Sequence, residues 1–242
     1  MSIKTELLYQ FDSYLREFEA EVVDIVGNGI VLNRTAFHPR SGGVANDTGY
    51  IYVGDKVLKV VDVYIDKERN VVVHLVEGSL ENVKIGSVVR GVIDWGRRYR
   101  LMRLHTAAHI LSAIMYRDYN ALITGGNVEP DYAYDDYSLE VFDRKIFEDV
   151  VAKANQVVKQ GIEVRIYWLR REEALKIPGI VKLAERMPPE VEVLRIVEIP
   201  GIDVQADGGP HVKNTSEIGE IILVKAENKG KKRKRLYYTV KP

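Results

Sequence analysis

His105-Thr106-Ala107-Ala108-His109-Ile110-Leu111 lies inside a longer stretch, Arg98–Tyr116, that predicts a helix. Two histidines four residues apart leave the same helix face, so both imidazoles point one way. Such a pair can supply two of the four ligands of a tetrahedral zinc site when the fold brings further ligands from elsewhere. The spacing alone fits two packed or hydrogen-bonded core histidines equally well. A second cluster about a hundred residues downstream, Asp207-Gly208-Gly209-Pro210-His211, offers a carboxylate and another imidazole on a turn. Three of the five histidines then belong to one candidate constellation of His105, His109, Asp207 and His211. A zinc-protease reading fails, because that motif needs a Glu after the first His and Thr106 stands there.

The chain of 242 residues has no cysteine, which excludes disulfides, thiolate nucleophiles and sulfur ligands together. Any metal must be held by nitrogen and oxygen. Lys plus Arg equal Asp plus Glu at 35 each, so contact with a polyanion requires a local basic patch. The apolar runs are short and interrupted by charge, and Lys4, Glu6, Asp12 and Arg16 break up any signal-peptide core. No membrane span and a cytoplasmic location are expected.

From Thr5 to Trp95 the pattern predicts strands at Phe18–Val26, Ile30–Leu32, Tyr50–Val53, Val57–Ile65, Asn70–Val76 and Ser87–Val92, a small β-barrel. Within it, Thr35-Ala36-Phe37-His38-Pro39-Arg40-Ser41-Gly42-Gly43 reads as a loop. The texture changes near residue 95, which divides the chain into a barrel domain, 1–94, and an α+β domain, 95–242. After the helix, Thr124–Asp136 carries Gly125-Gly126-Asn127 and Glu129-Pro130-Asp131 and is expected to lack regular structure. A strand at Ser138–Phe142, a helix at Arg144–Gln160 capped by Asp143, and a strand at Glu163–Leu169 follow. A short helix at Arg171–Lys176 and a Pro-rich connection lead to a strand at Val191–Ile199, and a hairpin of Glu220–Ala226 and Leu236–Lys241 closes the chain. Its tip carries Lys229, Lys231, Lys232, Arg233, Lys234 and Arg235, six cations suited to phosphate contact.

Four segments together resemble the alanyl-tRNA synthetase editing domain and its free-standing relatives, the AlaX trans-editing proteins. His105–Leu111 is similar to that family's His-Thr-Ala-x-His-Leu-Leu helix. Asp203-Val-Gln-Ala-Asp207-Gly-Gly-Pro-His211, followed by Thr215-Ser-Glu-Ile-Gly219, resembles its Cys-Gly-Gly-Thr-His block and the Thr-x-Glu-Ile-Gly beyond. Thr35–Gly43 with Asp47-Thr-Gly49 resembles its Thr-x-Phe-Tyr-Pro-x-x-Gly-Gly loop, and the segment from Asn228 its C-terminal hairpin. The resemblance implies an N-terminal β-barrel, an α+β editing domain, a zinc ion, and hydrolysis of the ester joining a wrong amino acid to alanine tRNA, serine above all and glycine second. It assigns the zinc to His105, His109, Asp207 and His211.

This sequence departs from the family at several positions. Asp207 stands where the family has Cys, Pro210 where it has Thr, His38 where Tyr is usual and Val44 where Gln is usual. A carboxylate also binds zinc, so either Asp207 or a water takes the fourth position. A Gln that follows the helix in the family falls near Ile123, which passes an orienting role to Thr124 or Asn127. Thr35 matches a threonine near the seryl side chain, where a hydroxyl would favour serine over alanine. The amides of Gly208 and Gly209 are expected to face the developing oxyanion, with a metal-associated water as nucleophile and no side chain assigned to catalysis. The competing reading is a non-catalytic tRNA-binding protein with a structural metal.

Overall fold

A computed structural model describes residues 4–178, 180 and 191–242. The chain forms two compact units, residues 1–100 and 101–242. The first contains β1 (Glu6–Leu7), β2 (Glu17–Val26), β3 (Gly29–Leu32), β4 (Arg34–Thr35), β5 (Gly49–Val53), β6 (Lys56–Asp66), β7 (Val71–Glu77) and β8 (Val88–Ile93). Six of these close into a barrel in the order β2-β3-β7-β6-β5-β8, and β1 pairs in parallel with β4. Alternate residues point inward, so Phe18, Val22, Leu32, Phe37, Ile51, Val63 and Val72 fill the interior. β2 and β6 bend at bulges between Val22 and Asp24 and between Val60 and Asp62. At each bend an Asp carboxylate accepts from the next amide, Ile25 at 2.8 Å and Val63 at 2.9 Å, which satisfies a backbone group freed by the bulge.

The Gly-rich loop after β4 folds around a buried ion pair. Arg98 donates through Nε to both oxygens of Asp47 at 3.0 Å and through a terminal nitrogen to the Ser13 carbonyl at 2.9 Å, and its other terminal nitrogen reaches the Ala36 carbonyl. Both side chains of the pair are fully buried. Asp47 also accepts the His38 amide at 2.6 Å, so one carboxylate fastens the start of the loop to its end. The His38 ring lies 3.3 Å from the Ala45 carbonyl through Nδ1 and packs edge-on against Tyr9. His74 of β7 donates from Nδ1 to the Ile30 carbonyl at 2.9 Å, which leaves Nε2 to accept from the Thr35 hydroxyl at 2.7 Å. Burial pushes the His74 imidazole down to about 4, against the opposing pull of the Ile30 carbonyl.

α1 (Trp95–Tyr119) starts where the Asp94 carboxylate accepts the Arg97 amide at 3.2 Å. β9 (Ile123–Val128), β10 (Ala133–Tyr137), α2 (Arg144–Gln160), β11 (Arg165–Arg170), α3 (Arg171–Ala174), β12 (Val193–Ile199), β13 (Asp203–Ala206), β14 (Glu220–Asn228) and β15 (Lys234–Lys241) follow. Two antiparallel sheets result, β14-β15-β10-β9 and β11-β12-β13, as an α+β reading requires. The Asp143 carboxylate accepts the Lys145 amide at 2.9 Å and Gly161 ends α2 in the left-handed conformation. The Pro-rich connection after α3 runs through residues 179 and 181–190, which lie outside the described residues.

Two expectations need correction. The stretch 124–136 is a hairpin of β9 and β10, closed by the Glu129 amide donating to the Tyr132 carbonyl at 2.9 Å. Its glycines belong to the strand: a Cβ at Gly126 would lie 2.7 Å from the Asp135 carboxylate across the ladder. The strand expected at Ser138–Phe142 ends instead at Tyr137.

Two measurements check this account of the first unit. Asp47→Ala strands the Arg98 charge in the interior, and chemical denaturation is expected to show a loss of about 3–5 kcal/mol. His74 is neutral when folded and takes up a proton in the unfolded chain below its ordinary value of 6.5. Stability is therefore complete above that value and falls as pH drops towards about 4, by about 3 kcal/mol. A His74→Gln variant, weaker than wild type at pH 7, should regain that difference over the same window in a pH series of denaturation curves.

Candidate metal centre

α1 is buried at every residue from Leu101 to Met115. A helix enclosed this far carries a polar stripe only where something inside answers it. The stripe is Thr106 with His105, His109 and Ser112, and the answer comes from β13 and the turn after it. The stacked rings of His105 and His211 have centroids 4.1 Å apart, and His109 meets them edge-on at 5.2 and 4.6 Å. One ligand atom from each of His105, His109, Asp207 and His211 lies within 4.8 Å of all the others.

The separations fit a metal. Asp207 Oδ2 is 3.4 Å from His105 Nε2 and 3.9 Å from His109 Nε2, and Oδ1 is 3.3 Å from His211 Nε2. Metal bonds of 2.0–2.1 Å in a tetrahedron place neighbouring ligands about 3.3–3.4 Å apart. The donor set is three imidazoles and one carboxylate, with no thiolate in the chain.

Hydrogen bonds fix how each ring is presented. His105 Nδ1 faces the Pro210 carbonyl at 3.3 Å, which can only accept, and His109 Nδ1 donates to Asp203 Oδ2 at 2.9 Å. The Thr106 hydroxyl donates to the Met102 carbonyl at 2.9 Å, so it accepts from His211 Nδ1 at 3.0 Å and from the Val212 amide at 3.3 Å. All three imidazoles thus carry their proton on Nδ1 and turn an Nε2 lone pair to the centre. Gln205 Nε2 donates to Asp203 at 2.9 Å and holds that carboxylate in turn.

The electrostatics are those of a cation site. Burial opposes a charge on His109, but Asp203 and Asp207 outweigh it and lift the imidazole to about 9. Burial drives His211 well below its usual value, helped by the charge of His105. Burial alone would raise Asp207, yet the charge of His105 and the hydrogen bonds of the three histidines hold it well below the usual carboxylate range. The carboxylates call for positive charge, which a divalent ion supplies in place of a proton.

Gly209 must be glycine, because a Cβ there would lie 2.7 Å from His105 Cε1. Its amide donates to Asp207 Oδ1 at 2.6 Å, so it orients that carboxylate and is already engaged there, where the expected oxyanion role would have it face the substrate. Arg195 donates to the Asp207 and Gly209 carbonyls at 2.8 and 3.0 Å and so grips both ends of the turn, including Gly208 between them.

The remaining candidates are not members of the four-residue cluster. Thr124 is exposed, and Asn127 donates to Glu129 at 2.8 Å from the face of β9 opposite Asp135, the carboxylate that feels the charge of His109. In the hairpin, Lys234 is buried and donates to the Gly230 and Lys231 carbonyls, Arg235 grips Asp136 at 2.8 and 2.9 Å, and Lys229 pairs with Glu227 at 2.7 Å. Lys231, Lys232 and Arg233 are exposed. Thr35 is buried in the first unit, bonded to His74. Sequence reading gave no part to Asp203, Thr106 or Arg195. A signal for Asp203 exists: Asp203, Gln205 and Asp207 alternate, as residues on one strand face do.

The comparisons place this fold and centre among proteins of the alanyl-tRNA synthetase editing type. Residues 194–237 match the family described as threonyl and alanyl tRNA synthetase second additional domain, and residues 3–97 match class II (A) tRNA synthetases. An alanine–tRNA ligase of Ignicoccus hospitalis is 34% identical over 91% of this chain and 24% of its own. The alanyl-tRNA editing protein AlaX-M of Saccharolobus solfataricus is 54% identical over 98% of this chain and 100% of its own, and that of Methanosarcina mazei is 39% identical over 98% and 96%. This chain belongs to the AlaX-M family of alanyl-tRNA editing proteins.

Replacing groups behind the ligands should weaken the centre without removing a ligand. Asp203→Asn and Thr106→Val are each expected to lower the affinity for a divalent metal ion about 10–100-fold in a chelator competition titration. Gly209→Ala should do at least as much, by pushing the turn off His105.

Proposed function

We propose that this protein is a trans-editing hydrolase that cleaves the ester of alanine tRNA mischarged with serine, and with glycine as a second substrate, around a zinc ion held by His105, His109, Asp207 and His211. The observation that carries the reading is the trio of imidazoles locked with Nε2 towards one carboxylate. Relatives named as alanyl-tRNA editing proteins supply the substrate class. Bound there, zinc supplies Lewis-acid polarisation of the ester carbonyl or a water of lowered pKa.

The chain's own residues do the rest. Asp203, Thr106 and the Pro210 carbonyl hold Nδ1 of the three rings and keep the rings aimed. Gly209 and Arg195 keep the Asp207 carboxylate on its side of the centre. An aminoacyl ester is already activated, so positioning and a fixed field suffice and no side-chain nucleophile is required. Thr35 is the candidate reader of serine. Its hydroxyl proton goes to His74 and one lone pair accepts the Phe37 amide at 3.1 Å, which leaves one lone pair for a serine hydroxyl to donate to. Alanine and its tRNA would leave that acceptor unanswered. Such a protein works in the cytoplasm, where tRNA is charged.

One observation favours a second reading, a structural metal in a protein that only binds tRNA: the Asp207 carboxylate oxygens lie 3.4 Å from His105 and 3.3 Å from His211, close enough to serve as a fourth ligand. Deacylation assays on serine-, glycine- and alanine-charged alanine tRNA separate the two. The wild type should hydrolyse the first far faster than the last, His105→Ala and His109→Ala should lose at least about a thousandfold, and chelation should abolish the activity until zinc is restored. Tight tRNA binding with no hydrolysis of any substrate would favour the structural reading.

A further inference from the structure

The sheet β14-β15-β10-β9 has two unlike faces. Along β15, Lys234, Leu236, Tyr238 and Val240 are buried while Arg235, Tyr237 and Thr239 stand half-exposed on the other side. Across the ladder Tyr237 faces Tyr134, Arg235 faces Asp136, and Lys225 of β14 faces Tyr237. The Tyr134 and Tyr237 rings lie 5.6 Å apart, and Tyr132, 43% exposed, is 6.2 Å from Tyr237. The Arg235 guanidinium sits 3.8 Å above the Tyr134 ring, held flat by its two bonds to Asp136, and Lys225 Nζ is 6.0 Å from the Tyr237 ring.

An exposed tyrosine on a sheet is ordinary, but an aromatic row with a guanidinium locked onto it offers flat π surface and positive charge together. Residues 225–235 carry seven Lys or Arg against one acid, Glu227, in a chain of zero net charge. Within that run Lys231, Lys232 and Arg233 are exposed at the tip of the same two strands. Tyr237 is four residues from Arg233, about 13 Å at strand rise. Aromatic faces beside exposed cations bind unpaired nucleotides by stacking bases and neutralising phosphates, whereas a duplex keeps its base faces covered.

We infer that this outer face is a stacking platform for single-stranded nucleotides of the RNA substrate. One base stacks on the Arg235 guanidinium that Tyr134 backs, its neighbour on Tyr237, and the flanking phosphates meet Lys231, Lys232 and Arg233. The inference rests on the proposed function for the choice of RNA as the polymer. The site is remote in role from the metal ligands and acts in binding alone.

Fluorescence anisotropy with the full-length protein tests it, using two uncharged RNA hairpins, one with a four-nucleotide unpaired 3′ end and one blunt. The wild type should bind the overhang RNA more tightly than the blunt one by about tenfold or more. The Tyr134→Ala/Tyr237→Ala variant should lose that preference, the Phe pair should keep it within about twofold, and Lys231→Ala/Lys232→Ala/Arg233→Ala should weaken both RNAs and flatten the salt dependence. Photo-crosslinking of a 5-iodouridine overhang to the wild type, which needs no folded variant, should label peptides containing Tyr132, Tyr134 or Tyr237. An unchanged preference in the Ala pair, equal loss on both RNAs, or crosslinks confined to other peptides would overturn the inference. Hydrolysis of a seryl ester of adenosine by the wild type is assayed separately: its absence defeats the proposed reaction and leaves the uncharged-RNA result to stand on its own.

Discussion

Three imidazoles can present a lone pair to the same point only if something else holds the other nitrogen of each ring. Here those holders are of three kinds: a backbone carbonyl for His105, a carboxylate for His109 and a hydroxyl for His211. None is interchangeable with the others. The Thr106 hydroxyl has a single proton, committed to the Met102 carbonyl, and so is left as an acceptor for His211 and for Val212. Polar groups in a dry interior are costly unless every one is answered, and a fully answered network is stiff. The centre inherits its rigidity from this requirement.

The same logic recurs along α1, which contributes a buried arginine to each unit. Arg98 ties Asp47 to the carbonyls of Ser13 and Ala36, and Arg103 donates to the Ile218 carbonyl at 3.0 and 2.6 Å. A guanidinium has five donors and cannot be neutralised at ordinary pH. Burying one therefore obliges several acceptors to converge: the Asp47 carboxylate with the Ser13 and Ala36 carbonyls in one unit, and the Ile218 and Lys241 carbonyls in the other. The loop that carries Asp47 and the turn that ends at Ile218 are held in this way from the helix.

The barrel and the helix were legible because their patterns are strong: alternation of β-branched residues in the first half and a long apolar run around His105 in the second. The grouping of His105, His109, Asp207 and His211 was legible from residue type and from family resemblance. What escaped were features that depend on partners across the fold. Gly125 and Gly126 look like breakers in the sequence, yet they are strand residues opposite Asp136 and Asp135, and only the pairing explains them. Asp203 looks like any strand acid until His109 is set beside it. Lys234 and Arg235 look like the rest of a basic tip, but the strand already begins at Lys234, and alternation turns one side chain inward and the other onto Asp136.

The cluster offers a carboxylate and no sulfur, and this decides how it meets its surroundings. Peroxide and disulfide exchange act on thiolates, and neither has an atom to attack in a set of imidazole nitrogens and carboxylate oxygens. Without sulfur the set also loses its attraction for soft ions such as Cu(I), and it leans towards borderline and harder divalent ones. A cluster built around Asp207 needs no cellular reductant to keep its side chains in working order.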